Sequence, residues 1–133
     1  MNWKKFESGL CELFSALGYW ALDIPKNQSG AQPFDVIAIH GTKIYAVDCK
    51  TCAKKLFPIE RVEDNQWTAF EVMNNRTNAD VGIMAYNDGD IYYIPYSWLL
   101  YCRENDVKSV KLWQHNLWMT KEDVKSMLGR YLE

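Results

Sequence analysis

The sequence predicts an α/β or α+β domain, one sheet with helices packed against it. Three observations carry this. Apolar residues recur at helical spacing near the N-terminus, two pairs of apolar runs are each joined by a glycine-containing turn, and further helical patterns separate and follow them. At 133 residues the chain can bury a sizeable core and fits one undivided domain, 1–133.

The first helix is expected over 3–17, where Phe6, Leu10, Leu13, Phe14 and Leu17 form one stripe and Gly18 is the natural stop. At a helical turn of 100° per residue, Glu12 falls about 145° from the centre of that stripe and Glu7 about 75°. Glu12 therefore faces water, while Glu7 leans toward whatever the helix packs on. After the turn-rich PKNQSGAQP come two strands, 34–40 and 43–51, joined across HGT. A second helix is expected over 60–75, with Val62, Gln66, Ala69, Phe70 and Met73 on one side.

VGIMAY and DIYYIPY then form a second hairpin around Asn87, Asp88 and Gly89, and Ser97 is placed to cap a short helix through Arg103. A further strand and a last helix, 121–131, complete the order, with Thr120 and Asp123 as a capping box. Repeats, linkers and low-complexity tracts are not visible.

Interspersed charges and 48% hydrophobic residues describe a folded rather than a disordered chain. The longest apolar runs are too short and interrupted to span a bilayer, and the N-terminus lacks a signal-peptide pattern, so a cytoplasmic location away from membranes is expected. Cys11, Cys49, Cys52 and Cys102 read as free thiols, since such a domain needs no disulfides and that compartment keeps thiols reduced. The Cys49-x-x-Cys52 spacing is one that zinc and redox elements use, but it lacks a second ligand pair or a helix directly after it. A net charge of −2 argues against a strongly basic nucleic-acid binder and leaves room for a local basic surface.

The chemistry concentrates where two aspartates interrupt the apolar hairpin. Side chains alternate along a strand, so Asp48 and Lys50 share a face with Cys49 turned away. Ordinary hairpin pairing brings Asp35 near them, and Glu7 arrives from the helix. Three converging carboxylates repel unless protons or a cation compensate them, and a hard divalent cation, Mg²⁺ with Mn²⁺ able to substitute, is the natural compensation. With Lys50 as a fixed positive charge, this suits phosphodiester hydrolysis. The competing reading is plainer: Asp35 caps a strand or turn, and Asp48 and Lys50 form an ordinary ion pair.

The basic residues Lys26, Lys54, Lys55 and Arg61 flank these strands and are candidate phosphate contacts, or simply solvated loops. Trp67 and Phe70 fit core packing better than base stacking. His40 and His115, each without a second histidine nearby, are poor ligands or bases. Tyr92, Tyr93 and Tyr96 read as core or as a dimer surface.

The pattern PFD, twelve residues, DCK, preceded by a helix carrying Glu7 and followed by one carrying Gln66, resembles the PD-(D/E)xK nuclease superfamily. Within it the likeness is to Holliday junction resolvases. Glu7 stands eleven residues before Gly18-Tyr19 and NQSGAQPFD approaches Asp35, as in archaeal junction resolvases. YAVDCKTCAKKLFPIERVEDNQWTAF is similar to the RecU resolvases of Gram-positive bacteria, although the chain lacks the long RecU stalk insertion and has Asp48 where many resolvases carry Glu.

The resemblance covers about residues 5–96. It implies a restriction-endonuclease-like core with a central mixed sheet flanked by helices, and a Mg²⁺-dependent endodeoxyribonuclease of recombination and repair. Such an enzyme would be a compact, phage-like resolvase acting on branched DNA as a homodimer. Glu7, Asp35, Asp48 and the Cys49 main-chain carbonyl would be metal ligands, Lys50 the catalytic lysine, and Gln66 the support of the metal–water network. Gln28 and Ser29 match a loop that touches the DNA backbone. The alternatives are another nuclease of the superfamily, nicking, flap or restriction-like, and an inert DNA- or protein-binding module of the same fold.

Overall fold

A computed structural model describes residues 1–26 and 32–132. Helix α1 (Trp3–Ala16) is capped by Asn2, whose side chain accepts from the Lys5 amide at 2.9 Å. Its apolar stripe is fully buried: Phe6, Leu10, Leu13 and Phe14 have no solvent exposure. The helix ends just before Leu17, and Gly18 (φ +92°) turns the chain. Strand β1 (Trp20–Asp23), which the sequence pattern did not announce, then pairs antiparallel with β2 (Val36–His40), and β2 pairs antiparallel with β3 (Lys43–Thr51).

A three-residue strand β4 (Leu56–Pro58) and a single 3-10 turn (Ile59–Arg61) lead into α2 (Asp64–Arg76). The expected start of α2 at residue 60 is therefore corrected: the chain is still in the 3-10 turn there, and Glu63 is the N-cap residue. Strands β5 (Asp80–Asn87) and β6 (Asp90–Pro95) form the expected hairpin. Its turn has positive φ at Asp88 (49°) and Gly89 (92°), the twist-matched pattern that aspartate and glycine accommodate. Helix α3 (Tyr96–Glu104) follows β6 without a break, so Pro95 occupies the N-cap position and Ser97 lies inside the helix, contrary to the capping role expected of it. Short strands β7 (Ser109–Lys111) and β8 (Leu117–Met119) precede α4 (Lys121–Leu128). Thr120 and Asp123 do form the capping box, but Gly129 (φ 73°) ends α4 three residues earlier than the periodicity suggested.

The sheet is mixed. Its order is β1-β2-β3-β5-β6-β8, with β3 and β5 parallel and the other pairs antiparallel, and β4 pairs with β7 in a separate ribbon. Helices flank both faces. Residues of α1 and α4 pack with Val36, Ala38, Val47, Cys49 and Met84 on one side. Those of α2 and α3 pack with Ala46, Val81, Ile83 and Ile94 on the other. At Gly82 the neighbouring backbone comes so close that an added Cβ would lie 2.1 Å from the Ile94 carbonyl oxygen.

The two-sided core settles several side chains. Phe70, Tyr92 and Tyr96 are buried core residues, and Trp67 and Tyr93 pack partly buried against the core. Cys49 and Cys52 are buried free thiols in opposite layers, so alternation along the chain separates the pair that the CxxC spacing had raised as a metal or redox element. Among the described residues no helix is long and apolar enough to cross a membrane.

Candidate functional site

The site forms where a ladder runs out. Strand β2 accompanies β3 from Lys43 to Val47, and the Asp35 amide adds one more bond to the Val47 carbonyl at 2.9 Å. Beyond it β3 continues to Thr51 against β5 alone. The next amide facing the vacated flank, that of Cys49, donates to Asp35 Oδ2 at 2.8 Å. Asp35 thus substitutes for the missing strand, which is half of the plainer reading of this residue. Because a strand residue sends its N–H and C=O to the same flank, the Cys49 carbonyl also faces the opening.

Into the opening come side chains from four further places. Glu7 descends from α1, Asp48 and Lys50 rise from β3, Gln66 projects from the first turn of α2, and Lys26 reaches in from the segment after β1. They line a cleft of about 540 Å³ that also takes in Trp3, Thr51 and Arg61. Glu7, Asp35, Asp48 and Gln66 are only 3%, 8%, 4% and 3% exposed. Four polar side chains this deeply buried in one place need partners or a ligand.

Their partners are unevenly distributed. Lys26 Nζ donates to Glu7 Oε1 at 3.1 Å and to Asp35 Oδ1, bridging the two acids. Asp48 and Asp35 are in hydrogen-bonding contact. Lys50 Nζ lies 3.1 Å from Asp48 Oδ2 as an ion pair, yet that buried oxygen accepts no hydrogen bond among the described residues. Burial, reinforced by the Asp35 charge, pushes Asp48 up to about 8 and Glu7 up to about 7. Burial also acts against Asp35, but hydrogen bonds from Asp48, Lys26 and the Cys49 amide outweigh it and hold this carboxyl below its usual value. Two ammoniums thus serve the three acids, Lys26 between Glu7 and Asp35 and Lys50 beside Asp48.

Gln66 has a second occupation. Its Oε1 accepts from the Glu63 amide at 3.0 Å, closing a capping box at the start of α2. What remains for the cleft is its NH₂, a donor suited to a water or a phosphate oxygen rather than to a cation.

As the side chains stand, no three His, Cys, Asp or Glu groups among the described residues are gathered in metal-holding geometry. An ammonium, that of Lys26, sits between two of the three acids. The donors themselves fit a hard divalent cation, being carboxylate and carbonyl oxygens, one of them a buried oxygen that accepts no hydrogen bond among the described residues.

Of the candidate DNA contacts, Lys54 and Lys55 lie exposed in the turn between β3 and β4. Arg61 is tethered, donating to the Thr51 carbonyl at 3.0 Å with its guanidinium 5.6 Å from the Phe57 ring centre. Gln28 and Ser29 fall outside the described residues. Lys26 is not on an outer rim, because its ammonium is turned inward onto the acids. Trp3, Gln32, Thr51 and Glu63 also line the cleft and went unnoticed in the sequence. Trp3 stands one helical turn before Glu7 on α1, a spacing that signals the shared face, whereas nothing in the local pattern marks Thr51.

No family model matches the chain, and no curated protein matches it in sequence. Among solved structures, Hjc from Archaeoglobus fulgidus, a Holliday junction resolvase from an archaeal hyperthermophile, is similar with a TM-score of 0.57 at 14% identity, over 71% of this chain and 73% of that one. The likeness is one of fold: a mixed sheet flanked by helices, as in that nuclease.

Proposed function

We propose that this chain is a metal-dependent, structure-specific DNA endonuclease that hydrolyses phosphodiester bonds in four-way junctions. The observation that carries the proposal is the convergence of three buried carboxylates, from α1, from the residue before β2 and from β3, on one cleft beside Lys50, with a buried Asp48 oxygen that accepts no hydrogen bond among the described residues. A cluster of this kind costs stability in a domain that gains nothing from it. The fold likeness to an archaeal junction resolvase supports the choice of substrate class.

In this reading Glu7, Asp35, Asp48 and the Cys49 carbonyl would hold Mg²⁺, or Mn²⁺ in its place. Such an ion, when bound, supplies an acidified water and neutralises charge on the phosphodiester. The residues of the chain do the rest. Lys50, on the same face of β3 as Asp48, presents a positive charge to the phosphoryl oxygens as negative charge accumulates on them. Gln66 donates its NH₂ to orient the attacking water. Asp35 keeps the Cys49 amide bonded and so holds the carbonyl of the same residue in line. Lys54, Lys55, Gln28 and Ser29 would meet the DNA backbone. Two symmetric cuts call for a homodimer, and free thiols suit a cytoplasmic setting.

The test is cleavage of a labelled four-way junction and of linear duplex by wild type and Asp48→Ala, in Mg²⁺, Mn²⁺ and EDTA. Junction-selective, metal-dependent cutting by the wild type alone is expected. Equal cutting by both proteins would remove the mechanism. Cutting of linear or flap DNA instead would assign another nuclease activity, and binding without cutting would indicate an inert module.

A further inference from the structure

The cleft carries a cation of its own. Lys26 bridges Glu7 Oε1 and Asp35 Oδ1, and its ammonium lies 5.2 Å from the centre of the Trp3 ring, which is 43% exposed at the cleft edge. Lys26 reaches two of the three acids; Asp48 is paired instead with Lys50 at 3.1 Å, and its Oδ2, on a residue only 4% exposed, accepts no hydrogen bond among the described residues. A divalent cation held by Glu7 and Asp35 would compete with the Lys26 ammonium for these carboxylates, because two cations at one pair of acids repel each other.

We propose that Lys26 is an internal counter-ion that holds Glu7 and Asp35 in the metal-free chain, yields both oxygens when a divalent cation is bound, and then turns to a substrate phosphate at the cleft mouth. This rests on the metal-dependent reading above. The backbone permits such an exchange. Ile24, two residues before Lys26, is fixed by its amide to the Asp35 carbonyl at 2.8 Å, so the root of the side chain stays near the acids. The four-carbon stem lets the ammonium swing, and the Trp3 face gives it a resting place on the way out. Lys26 would thus make the readiness of the cleft for DNA depend on metal, by releasing a phosphate-binding charge only once the acids are otherwise neutralised.

The experiment titrates Mn²⁺, without DNA, into wild type, Lys26→Met and Lys26→Gln by calorimetry, with Lys43→Met as a control. Lys43 is paired with Asp80 at the far end of β3 and removes the same unit charge elsewhere. Both Lys26 variants are expected to bind Mn²⁺ about tenfold more tightly than wild type, an effect of losing a direct charge competitor, and Lys43→Met no more tightly. In Ca²⁺ the Lys26 variants should bind a labelled junction about threefold more weakly, as loss of one phosphate contact predicts, and in EDTA equally well. Mn²⁺ affinity unchanged or lowered in both Lys26 variants, raised as much by Lys43→Met, or junction affinity in Ca²⁺ equal to wild type would overturn the proposal while leaving the metal site standing. Absence of Mn²⁺ binding by every protein would instead remove the metal-dependent reading and the exchange with it.

Discussion

Replacing Asp48 by Asn should stabilise the metal-free protein at alkaline pH while removing a metal ligand. Asn has the same shape, can still meet Asp35, and has no charge to desolvate. The raised value of Asp48, about 8 against an ordinary 3.8, fixes the sign. A carboxyl raised on folding contributes stability that is fully present below its unfolded value and is lost as pH climbs through its folded one. Wild type should therefore weaken between about pH 4 and pH 8, and the neutral variant should escape that loss.

A rise of about four units caps the effect near 6 kcal/mol. Shared protons with Asp35 and Glu7 and relaxation of the cleft reduce this to about 3 kcal/mol. Loss of the Lys50 ion pair returns about 1 kcal/mol. The net gain of about 2 kcal/mol corresponds to a Tm higher by about 8 °C for a chain of this length. Thermal unfolding in EDTA at the two pH values measures it. A Tm for Asp48→Asn at or below wild type at the higher pH, or a difference of equal size at both, would refute the argument. Added Mg²⁺ should raise the wild-type Tm at the higher pH and leave the variant nearly unmoved.

Other perturbations probe the frame and the helix that borders the cleft. Gly82→Ala would force a Cβ to within 2.1 Å of the Ile94 carbonyl oxygen, and a loss of about 3 kcal/mol or more in urea unfolding is expected because both atoms belong to paired strands; an unchanged midpoint would show that β5 and β6 separate easily. Gln66→Ala should cost about 1 kcal/mol by opening the capping box. Gln66→Glu keeps the acceptor for the Glu63 amide but adds a fourth buried carboxylate to the cleft, so it should lose junction cleavage with the NH₂ and unfold more easily than wild type as pH rises. Full activity in that variant would reduce Gln66 to a cap.

Much of this layout was readable from spacing, and the exceptions share a cause. Glu7 sits at the border of an apolar stripe, Asp35 and Asp48 fall opposite one another when the hairpin is paired in simple register, and Asp88-Gly89 fits its turn; each is a local or near-local fact. Strands β1, β4, β7 and β8 contain four, three, three and three residues, too few for alternation to register, so that one strand was expected where β7 and β8 stand and none at β1 or β4; they exist because a neighbouring strand offers them a ladder. Gly129 was a stop signal that periodicity overran. Ser97 looked like a cap only because β6 was not expected to feed its helix directly. Lys26 is the most instructive case. Its partners lie nine and nineteen residues away, and a long flexible side chain beside a loop reads equally well as pointing outward.

The turn at Gly41 and Thr42, where φ at Gly41 is +60°, lies at the opposite end of β3 from any acid or lysine of the cleft. Yet it counts out the residues that decide what stands there. One residue more or fewer would exchange inward and outward positions all along β3, delivering the Cys49 thiol where a carboxylate is wanted and burying the Asp48 charge among the leucines of α1. The length of a bare hairpin tip is thereby as constrained as any group in the cleft, and variation should be tolerated there in identity but not in number.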